Sequence, residues 1–195
     1  MTATRLNTFI ERLHQVMDRA GNDEDAIRAQ AEPLLRELIA HDDWLQERYA
    51  IPHPEFYQQY CLYVCPRGQF SIVSFVWGPG QQTPIHDHTV WGLIGMLRGA
   101  EIGQRFTLRD NGALQPDGEQ RLDPGMVDFV SPRAGDIHRV SNAHHDQVSI
   151  SIHVYGADIG KVKRHVYKPD TAEVVDFISG YAQAAIGKDR RTQQG

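Results

Sequence analysis

The segment Gly80-Gln81-Gln82-Thr83-Pro84-Ile85-His86-Asp87-His88, answered further on by Gly99, sets the architecture of this chain. Its two histidines stand two residues apart. On an extended strand such residues leave the same face with Cα atoms about 7 Å apart. Their imidazoles can then converge on one ion at about 2.1 Å each. His138 follows the Gly135 turn, where an antiparallel neighbour brings it alongside. Three neutral imidazoles with no thiolate suit zinc, iron, copper or nickel. Without its surroundings, a His-x-His pair is also met as a surface or hydrogen-bonded pair.

Working outward, the sequence has period two from about Tyr57. Strands are expected at Cys61–Val64, Ser71–Trp77, Val90–Arg98, Glu101–Leu108, Gln120–Leu122, Met126–Val130, Val140–Asn142 and Val148–Tyr155. Gly and Pro mark the turns between them, as in Gly78-Pro79-Gly80, Asp110-Asn111-Gly112 and Pro124-Gly125. Many short strands with such turns predict an antiparallel sandwich or barrel. In the last of these strands, Val148, Ile150, Ile152 and Val154 share one face, and Ser151, His153 and Tyr155 share the other. A Ser-His-Tyr row can form a hydrogen-bonded relay ending in a phenol; the same row also suits a plain solvent face.

Before the strands the period is helical. Leu6, Phe9, Ile10, Leu13, Val16 and Met17 form one apolar stripe. Ala26, Ile27, Leu34, Leu35, Leu38 and Ile39 form a second, after an acidic start at Asn22-Asp23-Glu24-Asp25, with Pro33 placed to split it. A short third helix is expected at Trp44–Tyr49 and a last one at Thr171–Ala185, with a mobile tail from Gly187 to Gly195. The division read from this is a helical region at 1–54 packed on a barrel at 55–170, then a C-terminal helix and tail at 171–195.

The chain has 195 residues, 41% of them hydrophobic and 23% charged, with a formal charge of −5. That is one core-forming domain rather than a disordered or fibrous chain. A mildly acidic balance gives no broad footprint for nucleic acid or an anionic membrane. The stretch Phe70 to Trp77 is far too short to span a bilayer. Cys61 and Cys65 would lie about 13 Å apart on one strand, beyond disulfide reach. Reduced cysteines and no export signal predict a cytoplasmic protein.

The spacing Gly80, His86-x-His88, Gly99 resembles the first motif of the cupin superfamily. Gly125, Pro132, Gly135, His138 and Asn142 nearly meet the second. The implied fold is mainly β: a cupin (double-stranded β-helix, jelly-roll) barrel with an N-terminal helical region. The acidic ligand usual in the first motif falls here at Gly92, so the resemblance implies a site of three histidines without a carboxylate.

His86-Asp87-His88-Thr89, His138-Arg139-Val140-Ser141-Asn142 and the Ser151, His153, Tyr155 row together resemble the thiol dioxygenase family, which includes cysteine dioxygenase. The likeness runs from about Tyr57 to Tyr167. It implies Fe(II) held by His86, His88 and His138, an outer triad of Ser151, His153 and Tyr155, and insertion of both atoms of O₂ into a small-molecule thiol. Animal members crosslink a cysteine to the triad tyrosine. That position is Gly92 here, which implies an unmodified Tyr155.

Animal members also clamp the substrate carboxylate with an early arginine, whereas this chain has Tyr57-Gln58-Gln59-Tyr60. This is similar to the bacterial glutamine-type branch, which favours 3-mercaptopropionate. There the glutamine maps to Gln58, with Gln59 as its substitute, and an arginine after the triad maps to Arg164. Cysteine dioxygenation is the alternative reading, and a non-catalytic metal-binding cupin the further one. The oligomeric state is open.

Overall fold

The computed structural model describes residues 2–183. Two helices lead the chain, α1 (Thr2–Ala20) and α2 (Glu24–Ile39). The Asp23 carboxylate caps α2 by accepting from the Asp25 and Ala26 backbone N–H groups, which satisfies orphan donors at the helix start. Pro33 lies inside α2 without splitting it, its ring turned to solvent. The expected helix at Trp44–Tyr49 contracts to a single 3₁₀ turn over Glu47–Tyr49.

Eleven strands follow: β1 (Gln58–Val64), β2 (Ser71–Trp77), β3 (Ile85–His86), β4 (Gly92–Arg98), β5 (Glu101–Leu108), β6 (Leu114–Leu122), β7 (Val127–Val130), β8 (His138–Asn142), β9 (Ser149–Tyr155), β10 (Arg164–Lys168) and β11 (Glu173–Phe177). They form two sheets. One has the order β1-β2-β9-β4-β7, the other β11-β10-β3-β8-β5-β6. This is the expected mainly β jelly roll behind two N-terminal helices, with every strand pairing antiparallel.

The helices cover the outer face of the five-stranded sheet. Leu13 of α1 and Leu35 of α2 pack with Ile72, Val76, Leu93, Leu97, Ile150, Ile152 and Val154 in one buried cluster. Gly95 permits this contact, since a Cβ there would lie 3.0 Å from both Leu35 Cγ and Ile39 Cδ1. The alternate residues of the same strands, Val73, Phe75, Trp77, Ile94, Met96 and Tyr155, face the barrel interior. Period two thus separates helix-side core from barrel interior.

The C-terminal part departs from the sequence reading. Where a helix was expected from Thr171, Glu173–Phe177 is strand β11, paired with β10 from Arg164↔Phe177 to Lys168↔Glu173. The β-branched pair Val174-Val175 suits this partner strand better than a helix. The expected tail from Gly187 lies outside the described residues. Cys61 and Cys65 are both free. Among the described residues, no helix is long and apolar enough to cross a membrane.

Candidate active site

The site is built where β3, β8 and β10 run side by side in the second sheet. His86 of β3 stands directly opposite His138 of β8, so the register itself places two imidazoles together. His88 follows in the loop after β3. The three ring centroids are 4.8 Å apart pairwise, and one nitrogen from each lies within 4.8 Å of the others. All three residues are buried.

The outer nitrogens of His86 and His88 are engaged elsewhere. His86 Nδ1 lies 3.0 Å from the Pro84 carbonyl, and His88 Nδ1 lies 2.8 Å from Asp136 Oδ1. That leaves Nε2 of both rings for the centre. Asp136 also accepts from the backbone N–H of His88 and of Thr89. Thr89 adopts φ 58°, a left-handed conformation that a β-branched residue enters only at a cost. The sequence reading missed Asp136; its signal was an acid two residues before His138.

Burial favours the neutral form of His86 and His138. It lowers His86 to about 3, with the neighbouring His88 adding to the effect. His138 is pushed well below its ordinary value, by burial first and then by His86 and His88. Imidazoles whose outer nitrogen meets a second partner, as in His86 and His88, are the ordinary form of metal ligands. The donor set therefore fits a divalent transition ion, and among the described residues no carboxylate joins the group.

The Ser-His-Tyr row lines the opposite wall. Ser151 Oγ is 2.8 Å from His153 Nε2, and His153 Nδ1 is 2.8 Å from the Tyr155 hydroxyl. Trp77 Nε1 donates to Ser151 Oγ at 3.1 Å. Phe75 stacks on His153 with centroids 4.1 Å apart, and Tyr155 stacks on His88 at 5.3 Å. The relay's phenol thus ends beside the histidine cluster. Burial pushes the Tyr155 hydroxyl far above its ordinary value, so it keeps its proton, although Arg164 opposes the shift. Gly92 stands opposite Tyr155, and a Cβ there would come within 3.0 Å of the ring.

Arg164 enters the same cavity from β10. Val166 pairs opposite His86, and Arg164, two residues earlier, shares its face. Arg164 is 3% exposed. It stacks on Phe177 at 4.6 Å and donates from Nη2 to Ser179 Oγ at 2.6 Å. Its Nε is buried without a hydrogen-bond partner among the described residues. A cavity of about 510 Å³ opens here, bordered by His86, Arg164, Tyr57, Phe75, Phe177 and Tyr181. That is ample for a small ligand.

The two glutamines occupy different positions. Both border the cavity. Gln59 pairs opposite the inward-facing Phe75, and Gln58 opposite the helix-side Val76. Gln59 is buried and donates to Ser179 Oγ and the Gly180 carbonyl. It therefore braces the serine that braces Arg164. Among the described residues, the Gln58 side chain reaches only the carbonyl of its neighbour Tyr57.

The family model for cysteine dioxygenase type I matches residues 1–168. This chain belongs to that family. Among curated relatives, cysteine dioxygenase type 1 of Homo sapiens is 29% identical over 91 residues, 45% of each chain. The Danio rerio protein of that name is 28% identical over 92 residues, again 45% of each. The Bos taurus protein is 25% identical over 122 residues, 61% of this chain and 56% of its own. The matches thus span about half the length of these relatives. A solved Klebsiella pneumoniae protein with a double-stranded beta-helix domain is similar over 70% of this chain and 97% of its own, at 14% identity and TM-score 0.47. A Thermus thermophilus protein is similar over 57% and 92%, at 21% identity and TM-score 0.45.

Proposed function

We propose that this chain is an iron(II)-dependent thiol dioxygenase that converts a small carboxylated thiol, R–SH, and O₂ to the sulfinic acid, R–SO₂H. The favoured substrate is 3-mercaptopropionate. The observation that carries the substrate class is Arg164, a buried cation with an unpartnered Nε on the cavity wall that holds His86. A desolvated guanidinium donor is costly until an acceptor arrives, and a carboxylate is the acceptor it fits best.

His86, His88 and His138 would hold the ion. Iron(II) bound there supplies the charge that favours thiolate over thiol and the redox capacity to add both oxygen atoms to sulfur. Because the three ligands are neutral, no ligand atom brings a charge that offsets it. Arg164 holds the substrate carboxylate at a fixed distance from the histidine cluster, with Ser179 and Gln59 behind it. Tyr155 keeps a proton at its hydroxyl beside the cluster, oriented by His153 and Ser151. Tyr57, Phe75 and Phe177 exclude water from the acyl chain of the ligand. Gln58 adds a polar group at the border of the cavity. Free Cys61 and Cys65 agree with a reducing, cytoplasmic setting.

Cysteine is the second reading, favoured by the relatives named cysteine dioxygenase. Oxygen uptake with 3-mercaptopropionate, cysteine and cysteamine, measured side by side, separates the two. A higher kcat/KM for 3-mercaptopropionate supports the first reading, and a higher value for cysteine supports the second. No uptake with any of them by the iron-loaded protein leaves a non-catalytic metal-binding cupin. Arg164→Ala should cost about 10- to 100-fold in kcat/KM with carboxylated thiols, the worth of a charged hydrogen-bonded contact. Cysteamine, which has no carboxylate, should change little. Equal losses for both would remove the clamp.

A further inference from the structure

One acid stands between two of the candidate ligands and has no part in the site described so far. Asp87 follows His86 and precedes His88, and it is buried. Its carboxylate turns to β10. Oδ1 accepts from the His165 backbone N–H at 2.8 Å. Oδ2 accepts from the Tyr167 hydroxyl at 2.9 Å and lies 2.7 Å from His165 Nδ1. A carboxylate can only accept, so that ring nitrogen carries the hydrogen. The Asp87 backbone N–H donates to the His165 carbonyl at 3.2 Å.

Strand β10 is otherwise lightly fastened on this side. Its residues alternate: Arg164 and Val166 take the cavity face, and His165 and Tyr167 take the other. It pairs with β3 at two positions, Val166↔His86 and Tyr167↔Ile85. With β11 it pairs at five, from Arg164↔Phe177 to Lys168↔Glu173, so β10 and β11 form one hairpin. That hairpin carries Arg164 and Phe177, and Ser179 follows it; together they make the carboxylate end of the cavity. Gln59 holds that end through Ser179 and the Gly180 carbonyl. Among the described residues, every side-chain hydrogen bond between β10 and residues 85–88 ends on Asp87.

We propose that Asp87 determines the carbon-chain length of the thiol that the site accepts: by fastening β10 to the strand of candidate ligands, it fixes the span between the Arg164 guanidinium and the three-histidine centre.

A thiol acid held at both ends measures the distance between them. Its carboxylate sits on Arg164, its sulfur lies at the centre that His86, His88 and His138 surround, and the carbon chain between can change only by whole methylenes. Strand register sets that span coarsely, in steps of about 3.3 Å. A slip of one residue would turn Arg164 out of the cavity altogether. The finer setting falls to the carboxylate, because two backbone pairs leave the end of a short strand free to shift. A displacement of about 1 Å can cost about 100-fold in rate, and one methylene too many or too few is worth about 10- to 200-fold in a fitted pocket. The contacts that prevent such a shift are charge-assisted and geometrically specific. Asp87 acts through β10 and touches neither the ligand nor the ion, so it is a positioning residue. This selection of length rests on the carboxylated-thiol reading of the site, and not on the oxygen chemistry.

Titration calorimetry of the full chain loaded with zinc(II), against mercaptoacetate, 3-mercaptopropionate and 4-mercaptobutyrate, reads the selection without turnover. The wild type should bind one length at least about tenfold more tightly than the others. Asp87→Ala should compress that preference to within about threefold, by weakening the favoured length more than the other two. It should still hold one zinc(II) per chain, since His86 and His88 are supported by Pro84 and Asp136. The double variant His165→Ala with Tyr167→Phe removes both side-chain donors and leaves Asp87 in place. It should compress the preference likewise, and it serves if Asp87→Ala does not fold. Oxygen uptake by the iron(II)-loaded proteins should show the same compression in kcat/KM. A wild type that binds none of the three or prefers none, equal weakening of all three lengths in the variants, or loss of zinc(II) from them would overturn the proposal. A length preference that the variants compress, with no oxygen uptake by any of the proteins, would overturn the enzymatic reading alone.

Discussion

The two sheets of this barrel are built on opposite terms. Strands β2 and β9 of the five-stranded sheet are buried along their whole length, because α1 and α2 cover one face and the barrel interior takes the other. The six-stranded sheet turns one face to solvent, and β6 is exposed over nearly all its residues. The relay residues Ser151, His153 and Tyr155 sit on the first sheet. The candidate ligands His86 and His138, and Arg164, sit on the second. The hydrogen-bonded relay thus lies on the doubly covered wall. The residues proposed to hold the ion and the substrate carboxylate lie on the other wall.

Perturbing each wall separately tests this division. Leu35→Ala removes a fully buried side chain beneath the first sheet. It should cost about 2–5 kcal/mol of unfolding free energy by denaturant titration, with unchanged metal stoichiometry in the folded protein. Asp136→Asn acts on the second wall, where the lost partner frees the His88 ring. Metal affinity should fall about 10- to 100-fold by competition with a chelator, while stability of the metal-free fold changes little. The smallest effect separates the two glutamines. Gln59→Leu releases Ser179 and should raise KM for carboxylated thiols about tenfold, the order of one hydrogen-bonded contact to a charged partner. Gln58→Leu should alter it by less than about threefold. Equal effects would mean that Arg164 is not braced through Ser179.

The same division explains what could be read from the sequence. On β9 the pattern is local: strict alternation separates the helix-side Ile150, Ile152 and Val154 from Ser151, His153 and Tyr155, and the structure keeps those faces. The pairing of His86 with His138 was legible because a Gly135 turn must bring a later strand back. Other features depend on partners distant in sequence. Which of Gln58 and Gln59 faces inward is fixed by the register of β1 on β2, and nothing in Tyr57-Gln58-Gln59-Tyr60 records it. Glu173–Phe177 became a strand because β10 offered an edge, although the run from Thr171 also suited a helix. Asp136 shows its role only when the loop after β3 folds onto it.

The central claim is that three neutral imidazoles hold an ion beside a cavity in which a carboxylated thiol receives both atoms of dioxygen. Reaction of the iron(II)-loaded protein with 3-mercaptopropionate under ¹⁸O₂, followed by mass analysis of the product, tests it most directly. The account predicts a sulfinic acid carrying two ¹⁸O atoms from one O₂ consumed. Disulfide as the product, or a sulfinate with one oxygen drawn from water, would contradict it.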